Sequence, residues 1–172
     1  MDKPSTITYM IALDNGDPTR ESDFRDELYE LDAPFEGEGN AIFKSINRLS
    51  SIIWGDKNNA IAIDYWVKNR NEKTYLFNPS NVNQEPKIIY DRNYQDRYSD
   101  PGSFLTERNM YNKNILKIES NSLILIGDGY SEKGQFPFID KLSLKDFSSN
   151  RIYNSSYTDK LEDILDFDIK KN

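Results

Sequence analysis

Two amino acids that carry much of protein chemistry are absent from this sequence of 172 residues, which contains no cysteine and no histidine. Without cysteine, disulfides, a thiolate nucleophile and cysteine metal ligands are excluded. Without histidine, the sequence lacks the usual general base, the Ser-His-Asp triad and the commonest transition-metal ligand. Carboxylate or lysine chemistry remains open, but the sequence disfavours a self-contained enzyme, and we expect no catalytic residue and no cofactor.

Long apolar runs and an excess of positive charge are also missing. No apolar run approaches the roughly 20 residues that a membrane span needs, and the first residues lack the basic start and apolar stretch of a secretory signal. The net charge of −7 argues against a protein that neutralises phosphates and against adhesion to anionic membranes. We therefore expect neither nucleic acid nor a membrane as partner. The sequence does not decide between a periplasmic or secreted localisation and a cytoplasmic one.

The sequence that is present consists of short strand-like segments separated by turns. Charged residues make up 30% and apolar residues 37%, which is typical of one globular domain. "SSIIWGDKNNAIAIDYWV" (50–67) predicts two strands around a tight turn, and "NILKIESNSLILIGDG" (114–129) predicts a second hairpin. "KLEDILDFDI" near the end fits either a helix or a further strand. The segments together predict an all-β protein.

The order of these segments repeats along the chain. "IALD" (11–14) returns as "IAID" (61–64) and, more loosely, as "LILIGD" (123–128), while Tyr29 and Tyr75 of the next strands lie 46 residues apart. A repeat of roughly 40–50 residues with four strands is typical of β-propeller blades, and a generic antiparallel sandwich is the alternative. We predict a single partial propeller domain of about three four-stranded antiparallel blades, approximately 6–47, 49–92 and 113–157, with 158–172 as the start of a further blade or a tail.

Three blades are too few for a ring, because known propellers close with roughly four to eight. Sheets at the ends of such an array would expose unpaired edges, which favour pairing with other polypeptide. We therefore expect the partner to be the missing remainder of the propeller. A homo-oligomer formed through the open edges is the alternative.

Several loops and strand ends have distinctive wording: "IALDNGDP" (11–18), "YELDAPFEGE" (29–38), "IIWGDKNNAIAIDYW" (52–66), "YDRNYQDRYSDPGS" (90–103) and "GDGYSEKGQFPFIDKLSL" (127–144). In this order they resemble one group of the prolyl oligopeptidase family of serine peptidases, and most closely its glutamyl endopeptidase-like branch. The resemblance implies a β-propeller ahead of an α/β-hydrolase domain that carries a Ser-Asp-His site. This chain matches only a middle-to-late part of such a propeller.

The chain departs from the family pattern where the chemistry is concerned. It contains no G-x-S-x-G nucleophile elbow and no histidine, so no catalytic residue of the family can be carried over. The resemblance implies a non-catalytic segment that gates or selects peptide substrates for an absent hydrolase domain. The alternative is a stand-alone β-repeat binding module that self-associates through open sheet edges. No residue is assigned to substrate binding from sequence.

The stretch 90–103 is dense in charged residues and tyrosines. Its three aspartates are five and four residues apart, whereas an EF-hand loop places its ligands at alternate positions, so we predict no metal site. Arg–Asp pairs and tyrosines would instead brace a long connection between blades, and a tryptophan would pack between sheets. The structural, inter-blade candidates are Asp91, Arg92, Asp96, Arg97, Asp100 and Trp54.

A second loop, from Asp14 to Pro18, follows the first strand. Its residues are typical of a turn in which Gly16 adopts a positive backbone angle. A peptide contact on the axial channel is the alternative interpretation of this loop.

Overall fold

A computed structural model describes residues 5–168 of the chain. These residues contain strands and turns but no helix, which confirms the all-β class, and hence no helix long and apolar enough to cross a membrane. The strands are β1 (Thr6–Ala12), β2 (Asp26–Asp32), β3 (Asn40–Ser45), β4 (Arg48–Trp54), β5 (Ala60–Trp66), β6 (Asn71–Phe77), β7 (Lys87–Asn93), β8 (Ser103–Phe104), β9 (Thr106–Arg108), β10 (Asn114–Leu116), β11 (Ile118–Glu119), β12 (Ser122–Gly127), β13 (Tyr130–Ser131), β14 (Gly134–Gln135), β15 (Phe138–Ser143) and β16 (Ser149–Asn154).

The described residues divide into two compact units. The first contains residues 5–94 and 108–115, and the second contains 95–107 and 116–168. The first unit holds a three-stranded sheet in the order β1-β2-β3 and a four-stranded sheet in the order β4-β5-β6-β7, and every pairing in both sheets is antiparallel.

The two sheets of the first unit share one apolar core. Leu28 of β2 and Phe43 of β3 belong to the same buried cluster as Ala62, Tyr75 and Phe77 of the second sheet. Alternate residues of a strand point to the same face, so β5 and β6 can each present a row of such side chains to the core. Burial of this apolar surface, worth about 25 cal/mol per Å² removed from water, holds the two sheets together.

The register of the strands differs from the repeat that the two tyrosines indicated. Ala62 of β5 pairs with Tyr75, and Ala12, which lies at the same place in the repeat, pairs with Asp26. The counterpart of Tyr75 is therefore Asp26 and not Tyr29. Tyr29 pairs instead with Tyr9, and the two rings stack with centroids 5.2 Å apart.

The second unit is built around β12. This strand pairs with β15 along its whole length and with both β8 and β11 on its other side, and β16 extends the sheet beyond β15. Leu123, Leu125 and Leu142 are buried at its centre. The segment "KLEDILDFDI" is neither helix nor strand as far as Asp168, where the described residues end.

The number of strands per sheet departs from the predicted four. The three larger sheets contain three, four and five strands, and residues 5–168 form no closed propeller. The first sheet is one strand short because β1 pairs, among the described residues, with β2 alone. The third exceeds four because two short strands, β8 and β11, share one edge of β12.

Candidate functional site

The carboxylate of Asp14, in the turn that follows β1, is fully buried. It accepts hydrogen bonds from Arg48 Nη2 at 2.6 Å, from Arg25 Nη1 at 2.7 Å and from the backbone N–H of Gly16 at 3.0 Å. Burial by itself raises the pKa of Asp14, but the hydrogen bonds from Arg48 and Arg25 outweigh it and hold that pKa below its ordinary value. Asp14 is thus a fixed anion with its acceptor sites occupied.

The guanidinium of Arg48 binds two carboxylates, that of Asp14 in the turn after β1 and that of Asp26 in β2. While Nη2 binds Asp14, Nη1 donates to Asp26 Oδ1 at 2.6 Å. The other oxygen of Asp26 accepts the backbone N–H of Leu49 at 2.8 Å. Charge-assisted, forked bonds of this kind fix orientation as well as distance, so they lock the start of β4 against the first sheet. Arg25 adds a further link, because its guanidinium carbon lies 3.8 Å from the ring centre of Trp66 in β5.

Asp64 occupies in β5 the place that Asp14 occupies after β1, fifty residues earlier in the repeat. It too is fully buried, and it accepts bonds from the backbone N–H of Asn47 at 2.8 Å, from Asn47 Nδ2 at 3.0 Å and from Tyr75 Oη at 2.8 Å. Burial, and after it the bond to Asp64, raises the pKa of Tyr75 far above its ordinary value. This network fixes the residue that precedes β4.

Asp64 and Asp14 therefore bind two adjacent residues, Asn47 and Arg48, where the connection from β3 enters β4. A general acid or base needs a free site within hydrogen-bond reach of a substrate. The oxygens of these two carboxylates already accept hydrogen bonds from protein donors, as is expected of buried charges. Their chemistry is that of rigid structural links.

The first part of the stretch 90–103 lies on β7, in the first unit. Asp91 stands directly opposite Lys73, and Arg92 opposite Glu72. Lys73 Nζ donates to Asp91 Oδ2, and Arg92 Nη1 donates to Glu72 Oε1 at 3.2 Å. The hydrogen bond from Lys73 holds the pKa of Asp91 below its ordinary value. Both candidates therefore form cross-strand ion pairs inside one sheet.

The later part of the stretch lies in the second unit. Asp96 Oδ1 accepts the backbone N–H of Tyr98 at 3.0 Å, and Asp100 Oδ1 accepts that of Gly102 at 2.9 Å. These are turns closed by an aspartate side chain. Arg97 lies with its guanidinium carbon 3.7 Å from the ring centre of Tyr130. The part of the chain that the structure describes contains no group of three or more carboxylates placed to hold a metal ion.

The remaining candidate, Trp54, ends β4. It is partly buried against the core of the first unit and makes an edge-on contact with Phe77 at a centroid distance of 6.2 Å.

A groove of about 500 Å³ opens between β3 and the β6–β7 connection in the first unit. Phe43 and Phe77, with ring centres 4.9 Å apart, lie at its floor. Its rim carries Ile46, Val82 and Ile88, all exposed. A concave apolar surface of this size could take an apolar side chain of a peptide. The sequence pattern did not predict this groove, because its lining comes from two segments, 24–46 and 75–88, that are 29 or more positions apart.

A second cleft, of about 410 Å³, lies in the second unit beside Tyr98 and Asp100. Arg151 is on its wall and donates to both oxygens of Asp140, from Nε at 2.8 Å and from Nη2 at 3.1 Å. The same guanidinium lies over the ring of Phe138 at 3.7 Å. Because Arg151 is already paired with a carboxylate, this cleft offers no uncompensated cation from that residue to an anionic ligand.

Two curated proteins resemble the chain over nearly its whole length. It is 31% identical over 161 residues to a probable glutamyl endopeptidase, chloroplastic, of Oryza sativa subsp. japonica, and 30% identical over 172 residues to the protein of the same description from Arabidopsis thaliana. The alignments cover 90% and 95% of this chain but 17% and 18% of the two relatives. No family model matches the chain, and no solved structure matches it. The chain is thus similar to a segment of two proteins described as peptidases, which agrees with the resemblance that its loops carry.

Proposed function

We propose that these residues are a non-catalytic β-propeller segment of a serine peptidase of the prolyl oligopeptidase family, from its glutamyl endopeptidase-like branch. The segment would gate or select peptide substrates for an α/β-hydrolase domain outside these residues. The observation that carries the proposal is the identity of 30% or 31%, spread over 90% or more of the chain, to two probable glutamyl endopeptidases.

The contacts of the first unit support a role as a rigid frame. Buried ion pairs are costly to break once formed, and those of Arg48 with Asp14 and Asp26 connect two consecutive sheets. A frame that excludes folded proteins from an active site must resist being pushed apart, and such links supply that resistance. With no histidine in the sequence, the hydrolytic chemistry belongs to another part of the parent protein.

Selection by this segment would be steric and not a recognition of glutamate. The net charge of −7 repels acidic peptides at long range. Preference for a glutamyl bond, which the names of the relatives suggest, would therefore be built elsewhere in the parent. Short or unfolded peptides would pass, whereas folded proteins would not.

A chimera tests the proposal. The matched segment of the rice relative is replaced by these 172 residues, and cleavage of a short glutamate-containing peptide is compared with cleavage of a folded protein. We expect the peptide to be cleaved and the folded protein to be spared. A matched chimera carries Arg48→Met, which removes the links between the two sheets. We expect its ratio of peptide cleavage to folded-protein cleavage to be smaller.

Two results contradict the proposal. One is a folded, active chimera that cleaves both substrates at equal rates, before and after Arg48→Met. The other is peptide turnover by the purified 172-residue chain, since its residues would then carry catalysis themselves.

A further inference from the structure

The turn after β1 contains the one asparagine of the sequence that is followed directly by glycine. Asn15 and Gly16 lie at its centre, and the backbone N–H of Asp17 closes the turn by donating to the carbonyl oxygen of Asp14 at 3.2 Å. Both central residues are exposed and have positive φ, 59° and 76°. Asparagine is among the thermolabile residues, because its side chain can react with the backbone that follows it.

That reaction closes a cyclic imide. The backbone nitrogen of Gly16 loses its proton to a base in the solvent and forms a bond to Cγ of Asn15, and the bond from Cγ to the side-chain nitrogen breaks with loss of ammonia. Water then adds to either carbonyl carbon of the ring and leaves aspartate or isoaspartate, so water is the only co-reactant. Glycine favours this closure, because it has no Cβ to hinder the attacking nitrogen or to restrict its backbone angles.

The carboxylate of Asp14 opposes the first step of this reaction in the folded chain. The N–H of Gly16 donates to Asp14 Oδ1 at 3.0 Å, and the nitrogen must lose this proton before it attacks. A hydrogen bond from the neutral group and a negative charge beside it both disfavour loss of the proton. Without that negative charge, the guanidinium groups of Arg48 and Arg25, which bind the same carboxylate, would favour the loss instead.

We propose that Asn15 is a modification site, converted to aspartate or isoaspartate through attack by Gly16, and that the charge of Asp14 sets the rate. Isoaspartate places an extra main-chain carbon between Asp14 and Gly16, which moves the N–H of Gly16 away from the buried carboxylate. Because Arg48 binds the same carboxylate, conversion weakens the link between the two sheets and does so irreversibly. The inference rests on this turn and does not depend on the proposed peptidase role.

Mass spectrometry after incubation at mildly alkaline pH measures the conversion. Trypsin, which cleaves after Arg20, releases the peptide 1–20, in which Asn15 is the only asparagine. Exchange of the amide nitrogen for oxygen raises the mass of this peptide, and chromatography separates its aspartate and isoaspartate forms. The same chain unfolded in urea gives the rate without the turn. We expect the folded chain to convert at least about tenfold more slowly, because attack must wait for local opening of the turn.

Asp14→Asn keeps the shape of the side chain and removes its charge. We expect it to raise the folded rate at Asn15 roughly tenfold, the factor that corresponds to one hydrogen bond to a charged group, and fragmentation of the peptide distinguishes Asn15 from the introduced asparagine. Tyr75→Phe is the matched control, because it weakens the first unit at Asp64 and leaves the turn at Asp14 intact. Sites without shared partners act independently, so the control should change the rate less than about twofold.

Equal rates at Asn15 for the folded and unfolded chain, or for Asp14→Asn and the wild type, would overturn the proposal. Equal acceleration by Asp14→Asn and Tyr75→Phe would also overturn it, because the rate would then follow the stability of the unit and not the charge of Asp14. The converted protein, separated from the unconverted one, should have a lower Tm by circular dichroism, and an unchanged Tm would contradict the weakened link. None of these results bears on cleavage by the chimera, so failure of this inference and failure of the proposed function are distinguishable.

Discussion

Nη2 of Arg48 lies 2.6 Å from each of the two carboxylate oxygens of Asp14, a residue 34 positions earlier in the chain, in the turn that follows β1 of the first sheet. The carboxylate is fully buried, whereas the arginine side chain keeps 25% of its surface exposed. Removing the cation would leave a buried anion with Arg25 as its remaining charged partner. The side chain of Arg48 is therefore an important link between the two sheets of the first unit.

Replacement of Arg48 should be more damaging than replacement of an exposed cation. We expect Arg48→Met to lower the Tm by roughly 5 to 10 °C, measured by circular dichroism. Lys44→Met is the control, because Lys44 is about half exposed and pairs with Glu27 at 3.3 Å. Because the half-exposed ammonium is screened by water and Glu27 keeps the hydrogen bond from Tyr29 Oη, the pair should contribute little, and the control should shift the Tm by less than about 2 °C. Equal shifts in the two variants would show that Asp14 and Asp26 gain nothing particular from Arg48.

The lowered pKa of Asp14 predicts how stability depends on pH. A carboxyl group whose pKa is lower in the folded than in the unfolded state contributes stability that is present above the unfolded pKa and is lost as pH falls through the folded pKa. The loss should therefore occur below the ordinary value of 3.8. In urea titrations between about pH 2 and pH 6, Asp14→Asn should be less stable than the wild type at the upper end and should lose less stability on acidification. Parallel curves for the two proteins would contradict this prediction.

The bond between Tyr75 and Asp64 allows a double-mutant cycle. A hydrogen bond to a charged group contributes about 1.5–3 kcal/mol, so Tyr75→Phe should lower the free energy of unfolding by that amount. In an Asp64→Asn background the same change should cost less, because the acceptor charge is gone. Tyr98→Phe, at a side chain that is 65% exposed, should have almost no effect. Strict additivity of Tyr75→Phe and Asp64→Asn would show that the hydroxyl and the carboxylate do not interact.

Local patterns predicted the parts of the fold that depend on neighbouring residues. The segment 50–67 forms the expected hairpin, with Asp56 Oδ1 accepting the backbone N–H of Asn58 at 2.8 Å in its turn. Gly16 has the expected positive φ, at 76°. In both places the backbone is set by residues within a few positions, which is the range over which turn chemistry acts.

Relations between distant residues could not be predicted in the same way. The loop that begins at Asp14 was correctly interpreted as a turn, but the burial of that carboxylate depends on Arg48, 34 positions away. The number of strands in the first sheet likewise depends on which strands pair with β1. The alternation of residues within β1 does not predict those partners. The repeated motif does mark the two buried carboxylates, since Asp14 and Asp64 end "IALD" and "IAID".

Two glycines with similar backbone angles offer a last test of packing in the second unit. Gly129 has φ +66°, and a Cβ built on it would lie 1.8 Å from the carbonyl oxygen of Phe136. Gly16 has φ +76°, and a Cβ there would meet nothing within 4 Å. Gly16→Ala should therefore cost only the left-handed backbone penalty, roughly 1–2 kcal/mol.

Gly129→Ala adds a backbone clash to the same penalty and should cost roughly 3 kcal/mol or more in the free energy of unfolding. The backbone at this position must move, because the added Cβ meets a backbone carbonyl oxygen and not a flexible side chain. That movement would disturb the hydrogen bond from the N–H of Phe136 to the carbonyl oxygen of Gly129, which is 2.9 Å long. Urea unfolding followed by tyrosine and tryptophan fluorescence measures both variants on one scale. If Gly129→Ala lowered the free energy of unfolding no more than Gly16→Ala does, the close contact between Gly129 and the carbonyl oxygen of Phe136 would not limit which residue fits there.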